Sequence, residues 1–246
     1  MKQEKTTATI KRFGAVIAMS ALPVLASAGN NFNSLSLLTQ SQFSTLAENL
    51  SAATSYKALA PAESLGAIGF DLGLSLSGTE INDEIFDLAS QGGWDLSTLP
   101  VPRLHVQKGL PLNVDVGAFY TGVPNSDIKI WGGELKYAFV PGGIATPAVA
   151  LRLGYSKMEG VDEIDLSNKS IELTISKGFA MLTPYAGVGR IYSEVEAVDA
   201  TTLKTEKPEL NRVYVGLNIN LGVNLVLEAD KTGDYSTYSA KVGIRF

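Results

Sequence analysis

Apolar and polar residues alternate in twos along most of this chain. Phe70, Leu72, Leu74 and Leu76 fall in one register, as do Val114, Val116, Ala118 and Tyr120. Val149, Leu151, Leu153 and Tyr155 repeat the pattern, then Val213, Val215, Leu217 and Ile219, then Val223, Leu225 and Leu227. The chain stops on a last such run, Tyr238, Ala240, Val242, Ile244 and Phe246. Successive side chains of a β-strand point to opposite faces, so period two predicts strands with one apolar and one polar face. Gly, Pro, Asn and Asp clusters cut the pattern into ten runs: 67–79, 100–109, 112–122, 128–139, 146–157, 168–178, 184–197, 209–220, 223–230 and 236–246.

Before residue 65 the period changes. Phe43, Leu46, Leu50 and Ala53 stand at helical spacing. Thr39 and Gln42 predict a capping box, and Pro61 is placed to stop the helix. Its Ser and Thr content makes it a weak helix that needs a packing partner. Further upstream, Lys2, Lys5, Lys11 and Arg12 precede an apolar stretch, Phe13 to Ala26, and an "ASA" triplet, Ala26 to Ala28. That order predicts a secretory signal peptide cleaved after Ala28. The leader holds four bases and Glu4, so the other 218 residues carry 16 bases against 24 acids, a net charge of −8. There is no cysteine, hence no disulfide framework, and no basic surplus to attract nucleic acid.

The connections between runs alternate. The odd ones, such as "EINDEIFDLASQGGWDLSTLP" and "VDATTLKTEKP", include all the long ones and carry charge. The even ones ("LP", "PGGIAT", "GFAMLTP", "LG") are short and uncharged. That asymmetry predicts a bacterial outer-membrane barrel with long extracellular loops and short periplasmic turns. The polar register then lines the lumen with Asp71, Arg103, His105, Asp115, Glu134, Lys136, Arg152, Glu172, Arg190, Glu194, Arg212, Glu228, Asp230, Lys241 and Arg245. Seven acids face seven bases, with Glu228 and Asp230 expected beside Lys241 and Arg245. Aromatics on the apolar register fall near strand ends, predicting an outer girdle (Tyr120, Trp131, Tyr155, Tyr238) and an inner one (Phe70, Phe139, Tyr185, Phe246). The expected fold is thus all-β: a transmembrane antiparallel barrel of about ten strands, with eight to twelve compatible, after a short N-terminal α-helix. The expected domains are a signal peptide (1–28), a helical segment (29–64) and an outer-membrane β-barrel (65–246).

The segments "PAESLGAIGFDLGLSLSGTE", "LPVPRLHVQKGLP", "VDVGAFYTGVP", "KGFAMLTPYAGVGR" and "LEADKTGDYSTYSAKVGIRF" resemble a group of small proteobacterial outer-membrane proteins with an N-terminal helical segment before the barrel. The resemblance implies fold and location; the group carries no established activity. A final amphipathic strand ending in an aromatic also resembles the signal read by the outer-membrane assembly machinery, a role that falls to Phe246.

The leading functional expectation is passive: a small pore, or a structural membrane protein whose lumen is closed, and not an enzyme. The expected partners are outer-membrane lipid, lipopolysaccharide, the assembly machinery and small ions or solutes. The helix has three candidate homes: inside the lumen as a plug, on the inner membrane surface, or in the periplasm. A full helix is about 10–12 Å wide, tight for a charge-lined ten-stranded lumen, so capping the periplasmic mouth is the favoured placement. One alternative is a barrel enzyme acting on outer-leaflet lipid or peptide through His105, placed towards the outer half of its strand with a serine or carboxylate partner. Another is adhesion through the acidic loop 80–99, with Glu80, Asp83, Glu84, Asp87 and Asp95. The acidic 158–167 connection would attract cations, but "DEID" lacks the glycine and ligand spacing of a calcium loop. A lone histidine supplies no zinc set, and no motif calls for a cofactor.

Overall fold

The computed structural model describes residues 35–89, 97–122, 127–198 and 202–246. The predicted signal peptide, residues 29–34, and parts of three long connections (90–96, 123–126 and 199–201) lie outside the described residues.

Helix α1 (Gln40–Thr54) precedes ten strands: β1 (Phe70–Glu80), β2 (Thr98–Leu110), β3 (Val114–Gly122), β4 (Lys129–Pro141), β5 (Ala148–Glu159), β6 (Ile164–Ser176), β7 (Leu182–Ala197), β8 (Glu209–Asn220), β9 (Asn224–Thr232) and β10 (Tyr235–Arg245). A second short helix, α2 (Asp83–Ala89), lies between β1 and β2. Every strand pairs antiparallel with its sequence neighbours, and β1 pairs with β10 to close the barrel. At the seam Leu74 faces Val242 and Asp71 faces Arg245. Phe70 and Phe246 exchange backbone hydrogen bonds of 3.1 and 2.9 Å, and their rings meet at a tilt of 37° with centroids 5.0 Å apart.

The capping box forms: the Thr39 hydroxyl accepts from the Gln42 amide, and the Gln42 side chain accepts from the Thr39 amide at 2.9 Å. The helix stops well before Pro61, however, at Thr54. Ser51, Thr54 and Ser55 turn their hydroxyls onto the carbonyls of Ala47, Leu50 and Ala52, and Ser55 then turns extended (φ −55°, ψ 153°). Such back-bonding weakens a helix C-terminus.

One end of the barrel carries the turns 111–113, 142–147, 177–181 and 221–223; the other carries the remaining connections. At the second end β5, β6, β9 and β10 run into stretches whose charge suggested loops, leaving four residues between β5 and β6 and two between β9 and β10. The reason is that the wall has two zones. Near the short turns apolar residues point out and charges point in. Near the long-loop end the sense reverses along β2 to β8, while β1, β9 and β10 keep polar residues inward (Thr79, Thr232, Thr237). There Val101, Phe119, Ile130, Met158, Leu166 and Val195 point in, while Arg190, Glu194 and Glu209 stand in solvent.

The observed wall corrects three expectations. Arg190 and Glu194 do not line the lumen; they face outward, ion-paired with Glu209 (3.6 Å) and Lys207 (2.8 Å). Tyr185 leaves the inner girdle for the lumen, where it is buried. Strict alternation on β7 puts Tyr185, Ile191 and Val195 on one face and the charges on the other. Finally, α1 does not cap the short-turn mouth. It fills the long-loop half of the lumen, packing Phe43, Leu46, Ala47 and Leu50 against the inward apolar residues there. A helix of ordinary girth is wide for ten strands, but Ala47, Ser51, Ala52 and Ala53 keep this one slender.

Leu46 is fully buried in that cluster. Leu46→Ala is expected to lower stability by about 2–5 kcal/mol, read as an earlier midpoint when the vesicle-inserted protein is unfolded in urea.

Candidate functional site

After α1 the chain runs without regular structure from Ser55 to Gly69, from the packed helix down through the lumen to the start of β1. Residues 55–62 are all buried. An irregular backbone cannot satisfy its own polar groups, so inside a barrel the wall must do it.

The wall does so largely with cations. Arg103 Nη2 donates to the Ala53 carbonyl (2.7 Å) and Arg212 Nη1 to that of Tyr56 (2.9 Å). Gln107 Nε2 donates to the Ala58 carbonyl (2.9 Å). Arg152 Nη2 reaches the carbonyls of Ala60 (2.7 Å) and Pro61 (2.8 Å). Lys136 Nζ reaches that of Glu63 (2.9 Å). Acceptors on the wall take the amides: Ser176 Oγ accepts from Ala62 at 3.1 Å, and Asp115 from Leu65 and from the Ser64 hydroxyl. In the other direction, Lys57 of the segment puts its ammonium on both oxygens of Asp230, at 3.0 and 2.8 Å.

The same cations neutralise the wall's acids. Lys136 sits 2.7 Å from Asp115, and Arg152 2.9 Å from Glu134. Arg212 bridges Glu172 (2.9 Å) and Glu228 (3.0 Å), with Asp230 at 3.5 Å. Lys241 and Arg245 both pair with Asp71, at 3.0 and 3.1 Å. The expected pairing of Glu228 and Asp230 with β10 therefore does not form. Shear brings β1 opposite those cations, and Lys57 and Arg212 take the two acids. Without Arg190 and Glu194, six acids and six bases of the predicted lining remain inside, joined by Lys57. Arg103 forms no ion pair with a carboxylate among the described residues; it donates to Ser77 and lies over the Phe119 ring, 5.2 Å from its centroid.

Two wall glycines make room for the segment. A Cβ on Gly117 would stand 2.8 Å from the Tyr56 hydroxyl, and one on Gly154 would stand 3.2 Å from Tyr56 Cβ. Lower down, Leu59 takes a left-handed backbone (φ +46°) while buried beside Tyr185, Tyr214 and Val226. Packing on that scale is what holds a non-glycine residue in this region.

His105 is fully buried mid-barrel, facing Gly73 and Phe119 across its neighbours, and so lies deeper than the outer half of β2 where sequence placed it. Its Nε2 lies 2.9 Å from Ser75 Oγ. Among the described residues its Nδ1 has no hydrogen-bond partner, and no carboxylate orients the ring. The acidic 158–167 stretch is partly spent on neighbours: Asp165 pairs with Lys157 (3.5 Å), and Glu159 accepts from Trp131 Nε1 (3.1 Å). Of the 80–99 loop, Phe86 is buried in the cluster that holds α1; Asp95 lies outside the described residues. Among the described residues no group of three or more His, Cys, Asp or Glu is placed to hold a metal ion.

Sequence reasoning found the lumen cations but not what most of them hold. Lys57, Tyr185, Tyr214 and Ser176 were missed. Lys57 had one signal: it is the only cation between residues 29 and 64.

A closed barrel with an outward apolar belt and an inward, paired charge network defines the class: a membrane-spanning β-barrel. No family model matches the chain, and no curated protein does. Among solved structures it is similar in shape to the N-terminal β-barrel domain of Pseudomonas aeruginosa OprF, at 13% identity and TM-score 0.38, covering 74% of this chain and 99% of that one. It is similar to Ail, the attachment invasion locus protein of Yersinia pestis, at 11% identity and TM-score 0.31, covering 73% and 99%. Neisserial surface protein A matches at 9% identity and TM-score 0.30, covering 72% and 95%. Likeness of this order carries no argument about function.

Proposed function

We propose that this chain is a bacterial outer-membrane protein whose barrel is shut by its own N-terminal segment. It acts as a structural membrane barrel at rest and as a small pore only when that segment leaves. One observation carries the reading. Arg103, Lys136, Arg152 and Arg212, which would be hydrated in an open pore, are at most 2% exposed because residues 53–63 lie across them. Ions would have to displace a chain held at its carbonyls by five wall side chains.

The test is planar-bilayer conductance of the protein from residue 29 onward, beside a form lacking residues 29–64. The intact form is expected to be silent. The truncated form is expected to show discrete steps, since its lumen is then walled by charged side chains with room for water. Steady conductance from the intact form would overturn the plug; silence from a truncated form shown to be inserted would overturn the pore.

A further inference from the structure

The short-turn end of the barrel shows an unexpected surface. Its tips are apolar and exposed: Ile68, Leu112, Ile144, Phe179, Met181 and Leu221. Turns that project into water are ordinarily built of polar residues. Leu112 is the clearest case. It is 85% exposed and adopts a left-handed backbone (φ +65°), where glycine or asparagine fits with less strain. Nothing in the turn itself favours leucine there, so the side chain serves something outside the barrel.

The backbone of this rim is also prepared for an environment without water. Gly143 donates to the Thr146 carbonyl, Phe179 and Leu182 exchange two bonds, and Leu221 donates to Val223. Pro111, Pro141, Pro147 and Pro184 remove amide donors at the strand ends. The turns 111–113, 142–147, 177–181 and 221–223 hold a single charged residue, Lys177. Its ammonium is drawn onto the carbonyls of Gly143 and Ile144 (2.7 Å each) and Thr146 (3.3 Å). Nearby, Lys108 spends its own on the carbonyls of Ala67 and Gly69.

Belt height points the same way. On β6 the outward apolar run is Ile171, Leu173 and Ile175; above it stand exposed Lys169 and Asp165. The six residues 171–176, from Ile171 to the strand end, rise about 20 Å along the strand, or about 15 Å across a tilted wall, against an apolar band of roughly 25 Å. Counting the 177–181 turn into the apolar surface narrows that shortfall.

We infer that the short-turn rim is a lipid-contacting surface, sunk into the inner leaflet of the membrane so that the turn tips meet acyl chains and not the periplasm. The barrel is thereby displaced towards its long-loop side, where the outward charges of β6, β7 and β8 stand clear of the bilayer. This inference rests on the membrane-spanning reading above, and the experiment separates the two. The chain has no cysteine, so single cysteines at Leu112, Ile144 and Leu221 can carry a fluorophore in phospholipid vesicles. Val215 on the mid-belt and Asp234 in the β9–β10 turn serve as references. The three turn labels are expected to be quenched by nitroxide-bearing acyl chains and to be on the order of tenfold less accessible to aqueous iodide than the Asp234 label. If the turn labels match Asp234 while Val215 stays shielded, the sunken rim is wrong and the membrane reading stands. If Val215 is also open to iodide, both fail. Tryptophan at the same positions with brominated lipids repeats the measurement without a label.

Discussion

Arg212→Met is expected to lower stability by about 3–5 kcal/mol, because removing one member of a buried charge network strands the others. Arg212 is 1% exposed and touches Glu172, Glu228 and the Tyr56 carbonyl, with Asp230 at its Nε. Methionine fills similar volume, so little of the loss comes from packing. What is lost is compensation: two carboxylates keep their burial without their main partner, and the segment loses one of its hydrogen bonds. Adding Glu172→Gln and Glu228→Gln should restore part of the loss, since the uncompensated charge is then removed too. Arg190→Met is the contrast. That side chain also pairs with an acid, Glu209, but both are about half exposed, and the change is expected to stay within about 0.5 kcal/mol. Urea midpoints in vesicles check all three variants. Equal effects at Arg190 and Arg212 would mean that the two sit in similar surroundings and would undo the assignment of Arg212 to a dry lumen.

The contrast marks where sequence was legible and where it was not. Period two gave all ten strands and the outward face of most of them, because lipid and lumen impose opposite polarity on alternate residues. It failed on β7. That strand crosses from the belt into the solvated zone, so the same face that is apolar at Pro184 and Val188 is charged at Arg190 and Glu194. Polarity alone then assigns charges to the lumen, whereas counting in twos from the outward Pro184 and Val188 places them outside. The placement of α1 was hidden for a related reason. Its apolar face needs an apolar partner, and the reading of a wholly polar lumen offered none inside. The inward residues Phe119, Met158 and Leu166 supply it. The extended plug was the least legible part. What fixes it is its backbone, bonded to side chains 49 to 156 residues away, and carbonyl groups leave no mark on a sequence.

Because the wall grips the segment largely through its backbone carbonyls, its position is the thing to lock. An ideal Cβ on Gly154 stands 3.2 Å from Tyr56 Cβ, close to the roughly 3.5–4.5 Å that a disulfide spans. Tyr56→Cys with Gly154→Cys is therefore expected to cross-link readily under mild oxidation. The hydroxyl of Ser170, which stands in the way of a side chain at 154, is best trimmed by Ser170→Ala. The Tyr56 hydroxyl has no hydrogen-bond partner among the described residues, so its loss strands none of them. After proteolytic cleavage engineered between the two cysteines, the fragments should stay joined without reductant and separate with it. A Tyr56→Cys with Val215→Cys pair, whose second cysteine is on the outer wall, should not join. Oxidation should also hold the pore shut under a voltage that dislodges the segment in the reduced protein, making closure depend on one bond between plug and wall. If the 56–154 pair fails to form in an inserted barrel, the segment does not thread the lumen, and the buried cations must be neutralised some other way.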